Sequence, residues 1–307
     1  MPNVDDVLGL MQENPFLLKR VELLKSIETT LKDKLDANVA VVSYIANTTN
    51  PALGAASSMN ISHLTYLEDL IKKAKGDRNI LVIILESYGG EATFPIEFLK
   101  LIKGYYGKFY IVVVKIAKSA ATVISLLSDG IIALSTASFG PIDPQLIYTT
   151  PDNKSTVTSA RSVIDLFDKT LPTYLKNYSD GIKALVLSTQ NYTMYQQAKD
   201  AINVVENEIV TKYIKPKLRR GAATRLKNSL VYKAYSHNVY VPPDALAKLG
   251  FNITEIKPDE TLGKLLIEYH RRAIRSCLFE VQPGNQGVIL FESKDSSMLL
   301  TTPAPKT

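Results

Sequence analysis

Phe109-Tyr110-Ile111-Val112-Val113-Val114-Lys115-Ile116-Ala117-Lys118-Ser119-Ala120-Ala121-Thr122 is the stretch whose reading decides the fold. Its first half is a β-branched and aromatic run, as expected of a strand buried on both faces. Its second half switches to small residues behind Ser119, the pattern of a helix that opens at a serine cap and packs closely on a sheet. Upstream, Ile83-Ile84-Leu85-Glu86-Ser87-Tyr88-Gly89-Gly90 is a second apolar strand, ending in a glycine pair.

Outward from these two stretches, strands and helices alternate. Strands are predicted at Val39–Ile45, Ile80–Leu85, Phe109–Val114 and Gly130–Leu134, with helices at 62–75, 92–105 and 119–128. Such alternation implies an α/β protein with a mostly parallel central sheet flanked by helices. Residues 7–36 have apolar positions at helical spacing, interrupted at Pro15. Residues 157–227 are helical and amphipathic, with breaks near 177–181 and at Pro216. A helix from Pro243 ends at Gly250, a strand follows at 251–256 and a helix at 262–279. A short strand is expected at 287–292, and residues 298–307 read as a tail. The expected organisation is a helical extension over 1–36, a main domain over 37–257, and a C-terminal helix and tail over 258–307.

The composition is that of a soluble globular chain: 307 residues, 46% hydrophobic and 21% charged, with a net charge of +6. The denser basic stretches, 212–227 and Arg271, Arg272 and Arg275, are read mainly as solvated faces. No base-stacking pattern of aromatics accompanies them, so a nucleic-acid partner is not expected. The single cysteine, Cys277, excludes an intrachain disulfide and suits a reducing compartment. With no signal-peptide pattern and no clean apolar run of spanning length, the expected location is cytoplasmic, and membrane association is not indicated. Three scattered histidines and one cysteine give no metal-ligand spacing, and neither a P-loop nor a dinucleotide fingerprint occurs. No metal and no cofactor are expected.

The chemistry-bearing residues sit at two turns at the carboxyl ends of predicted neighbouring parallel strands, where open α/β sheets bind ligands. A strand-Gly-Gly turn can aim backbone N–H groups at an oxyanion, and a serine at a strand-to-helix turn can present its Oγ to the same point. Taken together they read as the two halves of an acyl-transfer site. Either alone is a common turn or cap.

Three strings, Ser87-Tyr88-Gly89-Gly90, Ala117-Lys118-Ser119-Ala120-Ala121-Thr122 and Gly140-Pro141-Ile142-Asp143-Pro144-Gln145, resemble the serine dehydrogenase proteinase family. That family is related to signal peptide peptidase A and to Clp-type serine proteases. Ser236-His237-Asn238-Val239-Tyr240-Val241 and the 244–251 segment are similar to its C-terminal motif, so the resemblance covers residues 20–257. It implies a Clp/crotonase-like fold and a serine-type endopeptidase acting on a peptide or protein, assembled as a homo-oligomer. It also implies Ser119 as nucleophile, Gly90 and Ala120 as the oxyanion hole, and Gly89 and Glu91 against the substrate. Tyr88 stands where Clp-type enzymes carry proline. Asp143 stands roughly where they carry the catalytic histidine. The base is therefore sought in Lys118 or His237, then Lys154 or Lys169. His63 and His270 are read as structural. Two other classes stay open: an inactive scaffold that keeps the fold, and a crotonase-like acyl-CoA enzyme.

Overall fold

The computed structural model describes residues 15–149, 155–188, 192–232 and 239–303. The chain forms two compact units, one built from 1–139 and 240–307, the other from 140–239.

The described part of the first unit starts with α1 (Pro15–Leu35). Then follow β1 (Val39–Ala46), α2 (His63–Lys75), β2 (Ile80–Ser87), α3 (Phe94–Tyr105), β3 (Lys108–Ala117), α4 (Ala120–Leu127), β4 (Gly130–Leu134) and the two-residue β5 (Ser138–Phe139). β1, β2, β3 and β4 pair in parallel, as the alternation predicts, with Val41 opposite Val82, Val82 opposite Tyr110 and Val112 opposite Ile132. All eight residues of β1 and all five of β4 are buried, because helices cover both faces of the sheet.

The second unit begins with a hairpin, β6 (Gln145–Thr149) and β7 (Ser155–Ser159), that the sequence reading did not anticipate. Helices follow: α5 (Ala160–Asp165), α6 (Leu171–Leu175), α7 (Asp180–Ser188), α8 (Tyr192–Asn203) and α9 (Ala222–Leu226), with π-helical turns over Val204–Ile214 and Lys227–Tyr232.

Back in the first unit come α10 (Pro243–Lys248), β8 (Ile253–Ile256), α11 (Thr261–Phe279), β9 (Asn285–Ser293) and β10 (Ser296–Pro303). The sheet order is β10-β9-β1-β2-β3-β4-β8, with β9 and β10 antiparallel. The tail expected from 298 is thus a strand as far as Pro303. Its Ser and Thr residues had masked the pattern, and pairing with β9 supplies what its own sequence lacks.

One sheet face is packed by Leu24, Ile27 and Leu31 of α1 and Leu266, Tyr269 and Ala273 of α11, over Val41, Val82, Ile84 and Val112. Inside this layer lies a buried polar network. Arg20 Nε donates to Glu292 Oε1 at 3.1 Å, and its Nη1 meets Glu280 Oε1 at 2.7 Å and Ser276 Oγ. Tyr269 donates to Glu292 at 3.0 Å and lies 2.6 Å from Ser43 Oγ. Arg20 and Glu292 are both almost wholly buried, so the pair fixes how α1, α11 and β9 meet.

Candidate active site

β2 and β3 end side by side, and their final turns are joined through backbone bonds. The Lys118 N–H donates to the Ser87 carbonyl at 3.0 Å, just beyond the last β2–β3 pair, Ser87 with Ala117. Ser87 is buried, and its Oγ accepts from the Gly89 N–H at 3.0 Å, closing the turn with its own side chain. Gly89 has φ +104°, a conformation L side chains rarely adopt.

That turn lies directly against Ser119. A Cβ on Gly89 would stand 2.6 Å from Ser119 Cβ, 2.8 Å from the Lys118 carbonyl oxygen and 2.9 Å from Ala120 N. Gly90 is held from its other side by a parallel bridge to Met59: Met59 N–H donates to the Gly89 carbonyl at 2.8 Å, and Glu91 N–H to the Met59 carbonyl at 2.9 Å. In such a bridge the flanking peptides face the partner, so Gly90's own N–H points away from Met59. It has no acceptor among the described residues.

Ser119 itself occupies φ +51°, ψ −120° and immediately precedes α4. An L residue held there stores about 1–3 kcal/mol of strain. The conformation is that of a strand-to-helix elbow, which lifts the side chain clear of the backbone. Its Oγ caps nothing and has no partner among the described residues. Behind it the helix is anchored: Ala121 N–H donates to the Lys118 carbonyl at 2.9 Å, Val123 N–H to the Ser119 carbonyl at 3.0 Å, and Thr122 Oγ1 to the Ala117 carbonyl at 2.7 Å. All eight residues of α4 are buried, so the small side chains serve close packing. Ala120 N–H, the first of the helix, has no acceptor among the described residues, as expected of a helix start.

The structure thus brings Gly89, Gly90, Lys118, Ser119 and Ala120 together. Lys118 is half-buried, and burial holds its ammonium pKa below the ordinary lysine value. Glu91 lies next to the glycine pair, but its carboxylate is occupied by Asn60 Nδ2 and by the Ile61 N–H at 3.2 Å, which ties the loop before α2. His237 and Lys154 lie outside the described residues. In the second unit, Lys169 is paired with Asp165 at 2.9 Å, and buried Asp143 accepts from Gln145 Nε2 at 2.7 Å. His63 is nearly buried beneath Tyr44, whose hydroxyl is 3.1 Å from its Nδ1, and burial lowers its pKa. His270 Nε2 meets buried Glu86 Oε2 at 2.7 Å, and Glu86 also accepts from Thr48 at 2.6 Å.

Two residues of the site escaped the sequence reading. Ser87 carried a signal, a serine two residues before a glycine, which is the ST-turn spacing. Met59 carried none, since its role comes from backbone pairing across a long loop. Among the described residues no group of three or more His, Cys, Asp and Glu is arranged to hold a metal ion.

No family model matches the chain. It is 26% identical over 206 residues to an uncharacterized protein of Methanocaldococcus jannaschii. The match takes in 67% of this chain and 63% of that relative, so the chain spans less than two thirds of the relative's length. Among solved structures it is similar to the 1510-N membrane-bound stomatin-specific protease, in a serine-to-alanine mutant and in a lysine-to-alanine mutant in complex with a substrate peptide. The identities are 15% and 17%, over 72% and 75% of this chain and 97% and 95% of those chains, with TM-scores of 0.30 and 0.29. Overlays at that level do not define a fold; the assignment above rests on strand order and register.

Proposed function

We propose that the chain is a serine peptidase with Ser119 as nucleophile. The observation that carries this reading is the elbow at Ser119, packed against Gly89 and followed by the Ala120 N–H; neither that N–H nor the one of Gly90, next to Gly89 in the chain, has an acceptor among the described residues. The motif resemblance to serine dehydrogenase proteinases supports it independently.

The chemistry follows from those groups. Ser119 Oγ attacks the scissile carbonyl carbon as its proton passes to a base, and the carbonyl oxygen takes up the negative charge. The Gly90 and Ala120 N–H groups stabilise that oxyanion, an effect worth about 3–4 kcal/mol per donor in serine proteases. Collapse breaks the C–N bond, and the base returns its proton to the leaving amine. Water then adds to the acyl-serine ester by the same route and restores the hydroxyl. Gly89, proposed to lie on the substrate side, lets its turn pack directly against the nucleophile, and Glu91 acts at the same side by holding the loop through Asn60 and Ile61. The proposed substrate is a peptide or protein, and the proposed working form a homo-oligomer. The proposed setting is cytoplasmic, in keeping with a chain whose single cysteine, Cys277, is buried and unavailable for a disulfide.

Two side chains are the proposed proton acceptors, Lys118 and His237. Lys118 must be neutral to accept a proton, and partial burial moves it in that direction. Hydrolysis of a denatured-protein substrate, followed against pH, tests both the function and the base. Turnover should disappear in Ser119→Ala. A histidine base gives an ascending limb near pH 6.5, roughly the free imidazole value. A lysine base gives one above that and below the ordinary lysine value. Turnover that persists in Ser119→Ala, or none in the wild type in any oligomeric state, defeats the reading and leaves a scaffold with a protease-like fold.

A further inference from the structure

The basicity of this chain resides in one segment of the second unit. From Ile209 to Val239 there is no aspartate or glutamate in 31 residues, but there are eight lysines and arginines. The rest of the chain holds 28 Lys and Arg against 30 Asp and Glu, a slight net negative charge. The carboxylates that precede the segment are already used by its own cations: Glu208 pairs with Lys212 at 3.6 Å and Glu206 with Lys227 at 3.7 Å. Lys215, Arg219, Arg220 and Arg225 are exposed and have no ion-pair partner among the described residues. Lys215 and Lys217 sit in a single turn of 3-10 helix on either side of Pro216, and Arg219 and Arg220 stand in the bend before α9.

Gathering like charges without internal carboxylates raises their mutual repulsion, which an external anion relieves. We propose that this basic bend is a docking surface for a membrane bearing anionic phospholipids. The residue pattern favours lipid over nucleic acid. Apolar and basic residues interleave here as Tyr213, Lys215, Pro216, Lys217, Leu218 and Arg219, an arrangement that lets apolar groups enter the interface while the cations meet phosphate. Tyr213 is partly covered by Lys212, 5.5 Å from the ring centre, and no open row of aromatic faces offers bases a stack. The attachment is peripheral, and no helix among the described residues is long and apolar enough to cross a membrane.

The test is co-sedimentation of the full chain with vesicles of phosphatidylcholine alone or with about a third phosphatidylglycerol. Binding should need phosphatidylglycerol and be released by roughly 0.5 M salt, where the screening length falls to a few ångströms. The combined variant Lys215→Gln, Lys217→Gln, Arg219→Gln and Arg220→Gln changes only exposed positions and should keep the wild-type circular dichroism melt. It should weaken vesicle binding by several hundred-fold, since each near-surface cation contributes roughly a factor of five. The proposal is overturned if wild type ignores phosphatidylglycerol at low salt or if the fourfold variant binds as wild type does. It is equally overturned if fluorescence anisotropy finds a 30-base-pair DNA duplex bound more tightly than vesicles.

Discussion

Adding one methyl group at Gly89 probes the junction between the two turns. In Gly89→Ala the new Cβ would meet Ser119 Cβ at 2.6 Å, the Lys118 carbonyl oxygen at 2.8 Å and Ala120 N at 2.9 Å. Two of those three neighbours are backbone atoms, which cannot rotate away. The φ of +104° adds strain that glycine does not feel. Overpacking of this kind costs about 1–3 kcal/mol, and the backbone conformation about 1–2 more, so the total is about 2–5 kcal/mol. At about 3 °C per kcal/mol for a unit of this size, Tm should fall by roughly 6–15 °C in a circular dichroism melt. The turns must also move apart, and a misplacement of about 1 Å at a reacting centre lowers rate about 100-fold. Labelling by a fluorophosphonate should therefore slow by that order. A double-mutant cycle sharpens the test. Ser119→Gly removes the nearest atom, so the pair should be less destabilised than the sum of the singles, by about 1 kcal/mol. A Gly89→Ala protein that melts within about 1 °C of wild type and labels at the wild-type rate would refute the packing of these turns against each other.

Four further outcomes follow from the same structure. Ser119→Gly should stabilise the protein by about 1 kcal/mol by relieving the positive φ, while abolishing turnover; a lower urea midpoint than wild type would contradict the strain. Gly90→Ala should be at least as harmful as Gly89→Ala, since its Cβ would fall 2.2 Å from the Met59 carbonyl oxygen, and a wild-type melt would count against the Met59 bridge. Arg20→Leu should cost about 3–5 kcal/mol because it strands the Glu292 carboxylate in the core. Adding Glu292→Gln should recover part of that loss in urea titrations, and no recovery would rule out the stranded charge as its cause. His63 is a base whose folded pKa is lowered by burial, so between that value and the free value of about 6.5 the unfolded chain binds more protons. Stability should therefore fall as pH drops below about 6.5, less steeply in His63→Gln than in wild type; identical slopes would show that His63 does not contribute.

Much of the sheet was legible in the sequence because parallel strands buried on both faces declare themselves as unbroken β-branched runs. Val39–Ala46, Ile80–Ser87 and Lys108–Ala117 are such runs, and each is bounded by residues that end it. β10 was not legible, because an edge strand written Ser-Ser-Met-Leu-Leu-Thr-Thr-Pro gains its order from β9. The β6–β7 hairpin was missed for a similar reason: exposed Ile147 and Val157 face each other across it and give no core pattern. The meeting of Gly89 with Ser119 could be expected from strand order, since β2 and β3 are neighbours. The unusual φ of Ser119 could not, because it is imposed by Lys118 bonding Ser87 on one side and α4 burying itself on the other. The burial of Arg20 could not be expected either, because it is held in the core by Glu292 and Glu280, both more than 250 residues away in sequence.

The central claim is that Ser119 Oγ is a nucleophile served by the Gly90 and Ala120 N–H groups. The most direct measurement is to treat the folded protein with a fluorophosphonate, digest it, and locate the adduct by mass spectrometry. The account predicts one phosphonylated residue, Ser119, with labelling lost in Ser119→Ala and on unfolding in urea. An adduct on any other serine, or no adduct on the folded protein, would contradict it.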